Sequence, residues 1–181
     1  MSKTMKVLET VEIGNTFEIG GVEFIKFHGG ADGQTVAVAK EIAFRSTFGN
    51  NNNFAESDIL KKLNKDFLPK VVAAVGEDNI CEFETDLTTL DGLKTYGTMK
   101  SKVSLPTFDF YRTNVEIFDK YNPETWWWLS TPDSAEPHYK DCWWVECVAP
   151  SGIISLINFN FNFGVRPILV FVSDISVSCE E

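Results

Sequence analysis

Three tryptophans stand in a row, Trp126, Trp127 and Trp128, followed by Leu129, and no other feature constrains the fold as tightly. Read as a strand, the run puts neighbouring indoles on opposite faces, because side chains alternate across the pleat. With Trp126 and Trp128 pointing into the core as structural residues, Trp127 points outward and needs cover. An outward Trp127 with Trp143 or Trp144 nearby makes an interface hot spot or a sugar-stacking platform.

The rest of the chain reads as short strands with few helices. Residues 16–19 and 22–27 alternate or nearly alternate, and Gly20-Gly21 between them signals a hairpin. Ala31-Asp32-Gly33 turns into a third strand over 35–39, and 48–54 is a polar loop. Ser57 is the N-cap of a helix whose Ile59, Leu60, Leu63 and Phe67 share one face, with Lys61, Lys62 and Lys65 solvated away from it. Pro69 ends that helix or starts another short turn. A short strand over 102–106 precedes a helix capped by Thr107.

Beyond the tryptophans, Ser130-Thr131-Pro132-Asp133 reads as a breaker, 143–148 as a strand and Pro150-Ser151-Gly152 as a turn. The stretch 153–163 ends in strict alternation, Phe159, Phe161 and Phe163 on one face and Asn158, Asn160 and Asn162 on the other. That asparagine row is either a display of adaptable amides for recognition or a solvated sheet face. The apolar run 167–172 makes the last strand. Several short strands with two or three helices predict an α+β fold, one compact domain over residues 1–181 with mixed or antiparallel pairing.

At 181 residues, 44% of them hydrophobic, a domain buries roughly 70% of its unfolded surface and needs neither metal nor disulfide to hold it. The longest apolar run has six residues, against roughly 20 for a membrane-crossing helix. The opening residues are mildly basic, but Glu9 and Glu12 interrupt any apolar leader core. The chain is therefore expected to stay in the cytoplasm in which it is made, with Cys81, Cys142, Cys147 and Cys179 as free thiols. A formal charge of −10 and a pI near 4.7 argue against binding a phosphate backbone, which needs clustered cations. They suit a basic partner, or ordinary acidic solubility.

Catalytic signals are few. His28 and His138 are the two histidines, neither at a fixed spacing from an acid or nucleophile, and His138 reads as a surface residue. Cys142 and Cys147 lack a second ligand pair at zinc-finger spacing, and the glycine pairs lack the helix and lysine of a phosphate loop. Asp133, Glu136 and Asp141 cluster in one loop without the regular oxygen spacing of a calcium site. No catalytic residue, metal or cofactor is assigned. Arg166, between Val165 and Pro167, is expected to anchor carbonyls or a carboxylate inside the fold.

Residues 126–132, then Pro150-Ser151-Gly152, then Gly164-Val165-Arg166-Pro167 resemble an uncharacterised domain family of gut bacteria and their phages. Ser57-Asp58-Ile59-Leu60, Asp91-Gly92, Tyr96-Gly97 and Lys102-Val103-Ser104-Leu105 extend the resemblance over residues 14–171. One departure is Ser130, where the family often has Arg. The family is distantly similar to the C-type-lectin-like fold, which includes formylglycine-generating enzymes and phage receptor-binding proteins. The resemblance thus implies a C-type-lectin-like fold and not a function. It also implies a copper-dependent oxidase as one alternative, through Cys142 and Cys147, although Trp143-Trp144-Val145-Glu146 between them is unlike that enzyme's segment.

The reading that follows is a non-enzymatic, phage-borne binding module. In its most concrete form it is an acidic inhibitor of a basic host nucleic-acid enzyme, an anti-CRISPR protein against a CRISPR nuclease. Trp127, Trp143, Trp144, Asp133, Glu136, Asp141, Glu146 and the asparagine row are its expected contacts. The alternative is a carbohydrate- or protein-recognition module of a phage or cell surface.

Overall fold

A computed structural model describes residues 3–180. Its first half is β1 (Lys3–Val7), β2 (Thr16–Ile19), β3 (Val22–Phe27), β4 (Gln34–Ala39), β5 (Phe44–Ser46), α1 (Asp58–Lys62), α2 (Leu68–Val75), β6 (Ile80–Cys81) and β7 (Phe83–Asp86). There follow β8 (Thr98–Ser101), α3 (Phe108–Thr113), α4 (Val115–Lys120), β9 (Trp127–Pro132), β10 (Trp144–Val148), β11 (Ile154–Asn158), β12 (Phe163–Val165), β13 (Ile168–Val172) and β14 (Ser176–Glu180). The fold class is α+β. One sheet has the order β1-β14-β2-β3-β4-β13-β6, a second β11-β10-β9-β12-β5, and β7 and β8 form a separate ribbon. Pairing is antiparallel except where Gly164 of β12 meets Trp127 of β9.

The local signals act as expected at several places. The β2–β3 hairpin closes at Ile19 and Val22, and Gly20 turns it with a φ of 59°. A side chain there would also strike the Ala74 methyl at 2.9 Å. Ser57 Oγ accepts the Leu60 N–H at 3.0 Å, and Thr107 Oγ1 accepts that of Phe110 at 3.1 Å. Pro69 does not stop the first helix. Leu63–Phe67 widens into a π-turn in which the Leu68 N–H donates to Leu63 O, making room for a residue with no N–H of its own.

Both larger sheets carry apolar residues on two faces, and each face has its own core. Phe24, Ala37, Ala39, Leu169 and Phe171 join Trp128, Val145, Cys147 and Val165 in a cluster closed by Ile59, Leu63, Phe67 and Val71 of the first helical segment. On the opposite faces Ile25, Phe27, Val38 and Val170 join Trp127, Leu129 and Val148 beneath Tyr111 of α3 and Phe118 of α4.

This arrangement corrects the reading of Trp127. Alternation holds, with Trp128 and Trp127 in different clusters, but the outward face is roofed by α3 and α4, and Trp127 is fully buried. Its ring stacks on Phe118 at 5.6 Å, and its Nε1 donates to Asn122 Oδ1 at 3.0 Å. Trp128 Nε1 donates to Ser46 O at 2.9 Å. Trp126, just ahead of β9, is half-buried and stacked on Phe163 at 5.6 Å.

Arg166 is fully buried. Its Nε donates to Ala39 O at 3.0 Å, so the expected carbonyl contact is present. The guanidinium lies 4.8 Å from the Trp127 ring centroid and 5.5 Å from that of Phe118, while Nη1 and Nη2 find no acceptor among the described residues. Beside it, Gly164 packs against Ile42, whose Cδ1 would lie 2.5 Å from any Cβ at that position.

Four expectations fail. The run 167–172 is not the last strand, since β14 follows and pairs with β1 from Lys3↔Glu180 to Val7↔Ser176. Residues 102–106 form no strand beyond a single bridge, Ser104 to Ile168. The supposed breaker belongs to β9, which continues to Pro132 through a bulge: Val145 faces Pro132 and Cys147 faces Trp128. The asparagine row is not a strand face either. β11 stops at Asn158, whose Oδ1 accepts the Asn160 N–H at 2.9 Å, and the chain turns before β12. An asparagine side chain that bonds the backbone two residues on favours such a turn over a ladder.

Candidate functional site

Pro132 ends β9 and the connection to β10 carries most of the acids singled out from the sequence. Three polar anchors hold it. Asp91, from the β7–β8 connection, accepts bonds from the hydroxyls of Thr89 and Ser134, the latter at 2.7 Å, and lies 2.9 Å from His138 Nδ1. These contacts, Thr89 first, hold its carboxyl well below the usual carboxylate range. Thr95 Oγ1 donates to Glu136 O at 2.8 Å. Asn52 Nδ2 donates to Ser134 O at 2.9 Å and to Trp144 O at 3.2 Å, and Tyr96 OH to Asn52 Oδ1 at 2.7 Å. His138 sits at the surface as expected, with its Nδ1 within hydrogen-bond distance of the Asp91 anchor.

The anchored connection presents an aromatic strip. Trp143 and Trp144 are 47% and 37% exposed, with Tyr139 and Phe161 also exposed. Trp144 sits across from Asn158 in the β10–β11 ladder, and Trp143 O accepts the Phe159 N–H at 3.0 Å. The two indoles thus adjoin the 158–162 turn, where Asn160 and Asn162 are exposed and Asn158 is half-buried. Trp143 and Trp144 thus stand beside the asparagines through the β10–β11 ladder, with Glu136 and Asp141 exposed elsewhere on the same connection.

Two expected contacts drop out of the exposed set. Trp127 lies in the core. Glu146 is 1% exposed, on β10, which is held between β9 and β11 inside its sheet. Burial first, then the charge of Asp133, pushes its carboxyl up to about 7, and Oε2 has no partner among the described residues. Asp133 itself is half-buried and shifted upward, by burial and then by Asp91.

The cysteines do not form a pair. Cys142 Sγ donates to Tyr139 O at 3.2 Å from a residue with a φ of 46°. Cys147 faces the core and donates to Ser155 O at 3.2 Å, and burial pushes its thiol up to about 12. Among the described residues no three His, Cys, Asp or Glu side chains converge as metal ligands, and no helix is long and apolar enough to cross a membrane.

Sequence reasoning missed a cleft of about 620 Å³ between the β3–β4 connection, β7 and α3. Val36, Leu105, Ile168 and Val170 form its floor, Phe83 and Phe110 its walls, and Glu84, Asp86 and Asp109 lie along its rim. Its lining comes from six separate stretches of chain, so no local pattern marks it. The nearest signal was Gly29-Gly30, whose φ values of 110° and 97° shape one lip.

Comparison of the chain with family models, with curated proteins and with solved structures found no match.

Proposed function

We propose that this chain binds a partner without catalysing a reaction, as an acidic inhibitor of a basic nucleic-acid-processing enzyme of a bacterial host, a CRISPR nuclease being the concrete case. The carrying observation is the pair of exposed indoles, Trp143 and Trp144, on a connection fastened by Asp91, Thr95 and Asn52. Large aromatics on a preorganised support are what interface hot spots are made of, because little ordering entropy is lost on docking. Covering the exposed part of each indole removes roughly 100 Å² from water, about 2–3 kcal/mol apiece.

Glu136 and Asp141 are exposed on the connection that leads into the indoles, and the whole chain carries −10. A cationic channel that takes phosphates would attract this surface at long range, with a strong dependence on ionic strength. The reading places the protein in the cytoplasm of the cell in which the nuclease works.

The C-type-lectin-like assignment belongs to the same proposal. It is supported by the adjacency of the two segments that carry the resemblance, Gly164 N–H donating to Trp126 O at 2.8 Å. Within it, a second reading as a carbohydrate- or protein-recognition module draws on the exposed indoles standing beside Asn158, Asn160 and Asn162. The copper oxidase reading finds no support, since Cys142 and Cys147 have separate partners.

The test is binding to a panel of purified CRISPR nucleases, at low and high salt, with glycans arrayed in parallel. The expected result is capture of a nuclease that competes with its DNA, weakens steeply with salt and is lost in Trp143→Ala. Glycan binding indifferent to salt, with no nuclease bound, overturns the inhibitor and favours the recognition module.

A further inference from the structure

The cleft between the β3–β4 connection, β7 and α3 is separate from the aromatic strip, and neither the strip nor the proposed inhibition uses it. Its walls and floor are apolar, with Phe83 and Phe110 facing the space above Val36, Leu105, Ile168 and Val170. A cleft of this size with an apolar lining and a few polar groups is the usual form of a small-molecule site.

The carboxylates outweigh the basic groups. Glu84, Asp86 and Asp109 line the cleft with no lysine or arginine, His28 being the one basic side chain in the lining. All three acids have basic neighbours outside the lining, Asp86 through the charge of Lys94 alone. Asp109 accepts from Arg112 Nε at 2.9 Å, and Glu84 faces Lys100 across the β7–β8 ladder. Asp86 is bound differently. Its Oδ1 takes both the N–H and the hydroxyl of Thr88, at 2.8 and 2.6 Å, which fixes the carboxylate and leaves Oδ2 available.

From this geometry we propose that the cleft binds an amphipathic organic monocation, its aryl or alkyl body against Phe83 and Phe110 and its ammonium at Asp86. The limit to one charge follows from what lies beyond. Past Asp86, Thr107 and Asp109 the cleft opens into a groove of about 370 Å³ lined by Arg112. A second positive charge reaching that far meets a guanidinium, so a polyamine is disfavoured and a single ammonium stops at Asp86.

The test uses three probes of one shape, 4-phenylbutylammonium, 4-phenylbutanol and 4-phenylbutyrate, titrated into the ¹⁵N-labelled full chain. The ammonium compound should move the amide signals of Gly29, Phe83, Thr107 and Phe110 saturably. It should bind about fivefold tighter than the alcohol, the gain from one partly shielded ion pair, with the carboxylate weakest. Asp86→Asn should bring the ammonium compound to the affinity of the alcohol. Thr113→Trp, at an exposed position of α3 on the cleft lining, should block all three while leaving the rest of the spectrum folded. The proposal is overturned if the alcohol binds as tightly as the ammonium compound, if Asp86→Asn leaves the preference intact, or if no probe moves these signals. Trp143→Ala, which removes the proposed partner contact, should leave every one of these titrations unchanged.

Discussion

Replacing Glu146 by glutamine should stabilise the protein, by an amount that depends on pH. The side chain is buried and its carboxyl is raised to about 7 from an ordinary value of 4.5. Between those two pH values the folded state holds a proton that the unfolded chain has released. Stability therefore falls as pH rises through this window and levels off above it. Over about 2.5 pH units, at about 1.4 kcal/mol for each, the loss is about 3 kcal/mol. Glutamine has the shape of the protonated acid and never ionises, so it escapes that loss. Urea unfolding of both proteins from pH 4 to pH 8 measures this. The midpoints should nearly coincide at pH 4 and differ by about 1.5 M at pH 8, taking a slope of about 2 kcal/mol per M. Asp133 is present in both proteins, so its own titration largely cancels in the comparison. If the advantage of glutamine is the same at pH 4 as at pH 8, Glu146 does not titrate as a buried acid and the argument fails.

Three further outcomes follow from the core and the anchor. Trp127→Ala removes a fully buried indole from beneath α3 and α4, and should cost about 3–5 kcal/mol in chemical unfolding. Trp143→Ala, at the surface, should stay within about 0.5 kcal/mol of the parent. Arg166→Met keeps the packing against Trp127 and Phe118 while discarding a buried charge with two unbonded nitrogens, and should leave stability unchanged or raise it by about 1–4 kcal/mol. Arg166→Ala, which opens a cavity as well, should lower it, and a thermal melt of the pair separates the two. Asp91 is held below its ordinary range, so its contribution is present above about pH 4 and is lost as pH falls through its folded value. Asp91→Asn should flatten the acid limb of the unfolding profile and accelerate amide exchange across residues 134–142.

The sequence was most legible where a short signal acts on its own neighbourhood. The Gly20-Gly21 hairpin, the Ser57 and Thr107 caps and the alternation of Trp127 with Trp128 each depend on a few adjacent residues. What escaped depends on distant partners. Ser176–Glu180 has little apolar content and becomes a strand because β1 and β2 flank it. Ser130 and Thr131 look like a breaker, yet the bulge frees them to meet the start of α3. Ser130 N–H donates to Pro106 O at 3.0 Å, and Thr131 Oγ1 accepts the Phe108 N–H at 2.8 Å. Phe159 and Asn160 alternate like a strand, but the local bond from Asn158 turns the chain first. In the candidate site, Trp143 and Trp144 were legible as surface aromatics. Glu146 was not, because its burial is set by tertiary packing rather than by its neighbours in sequence. The cleft was illegible for the same reason.

The order of strands in the larger sheet also sets when it can be completed. β14 lies between β1 and β2, and β13 between β4 and β6, yet each is synthesised after both of the strands it joins. At ribosomal speed, roughly 10–40 s pass between the making of β1 and that of β14. Throughout that interval β1 has no neighbour to join, and the hairpins formed by β2, β3 and β4 keep two open edges. The emerging chain is thus a template for stray strand pairing until β13 and β14 arrive, and completion of the sheet waits on these distant strands rather than on any local step.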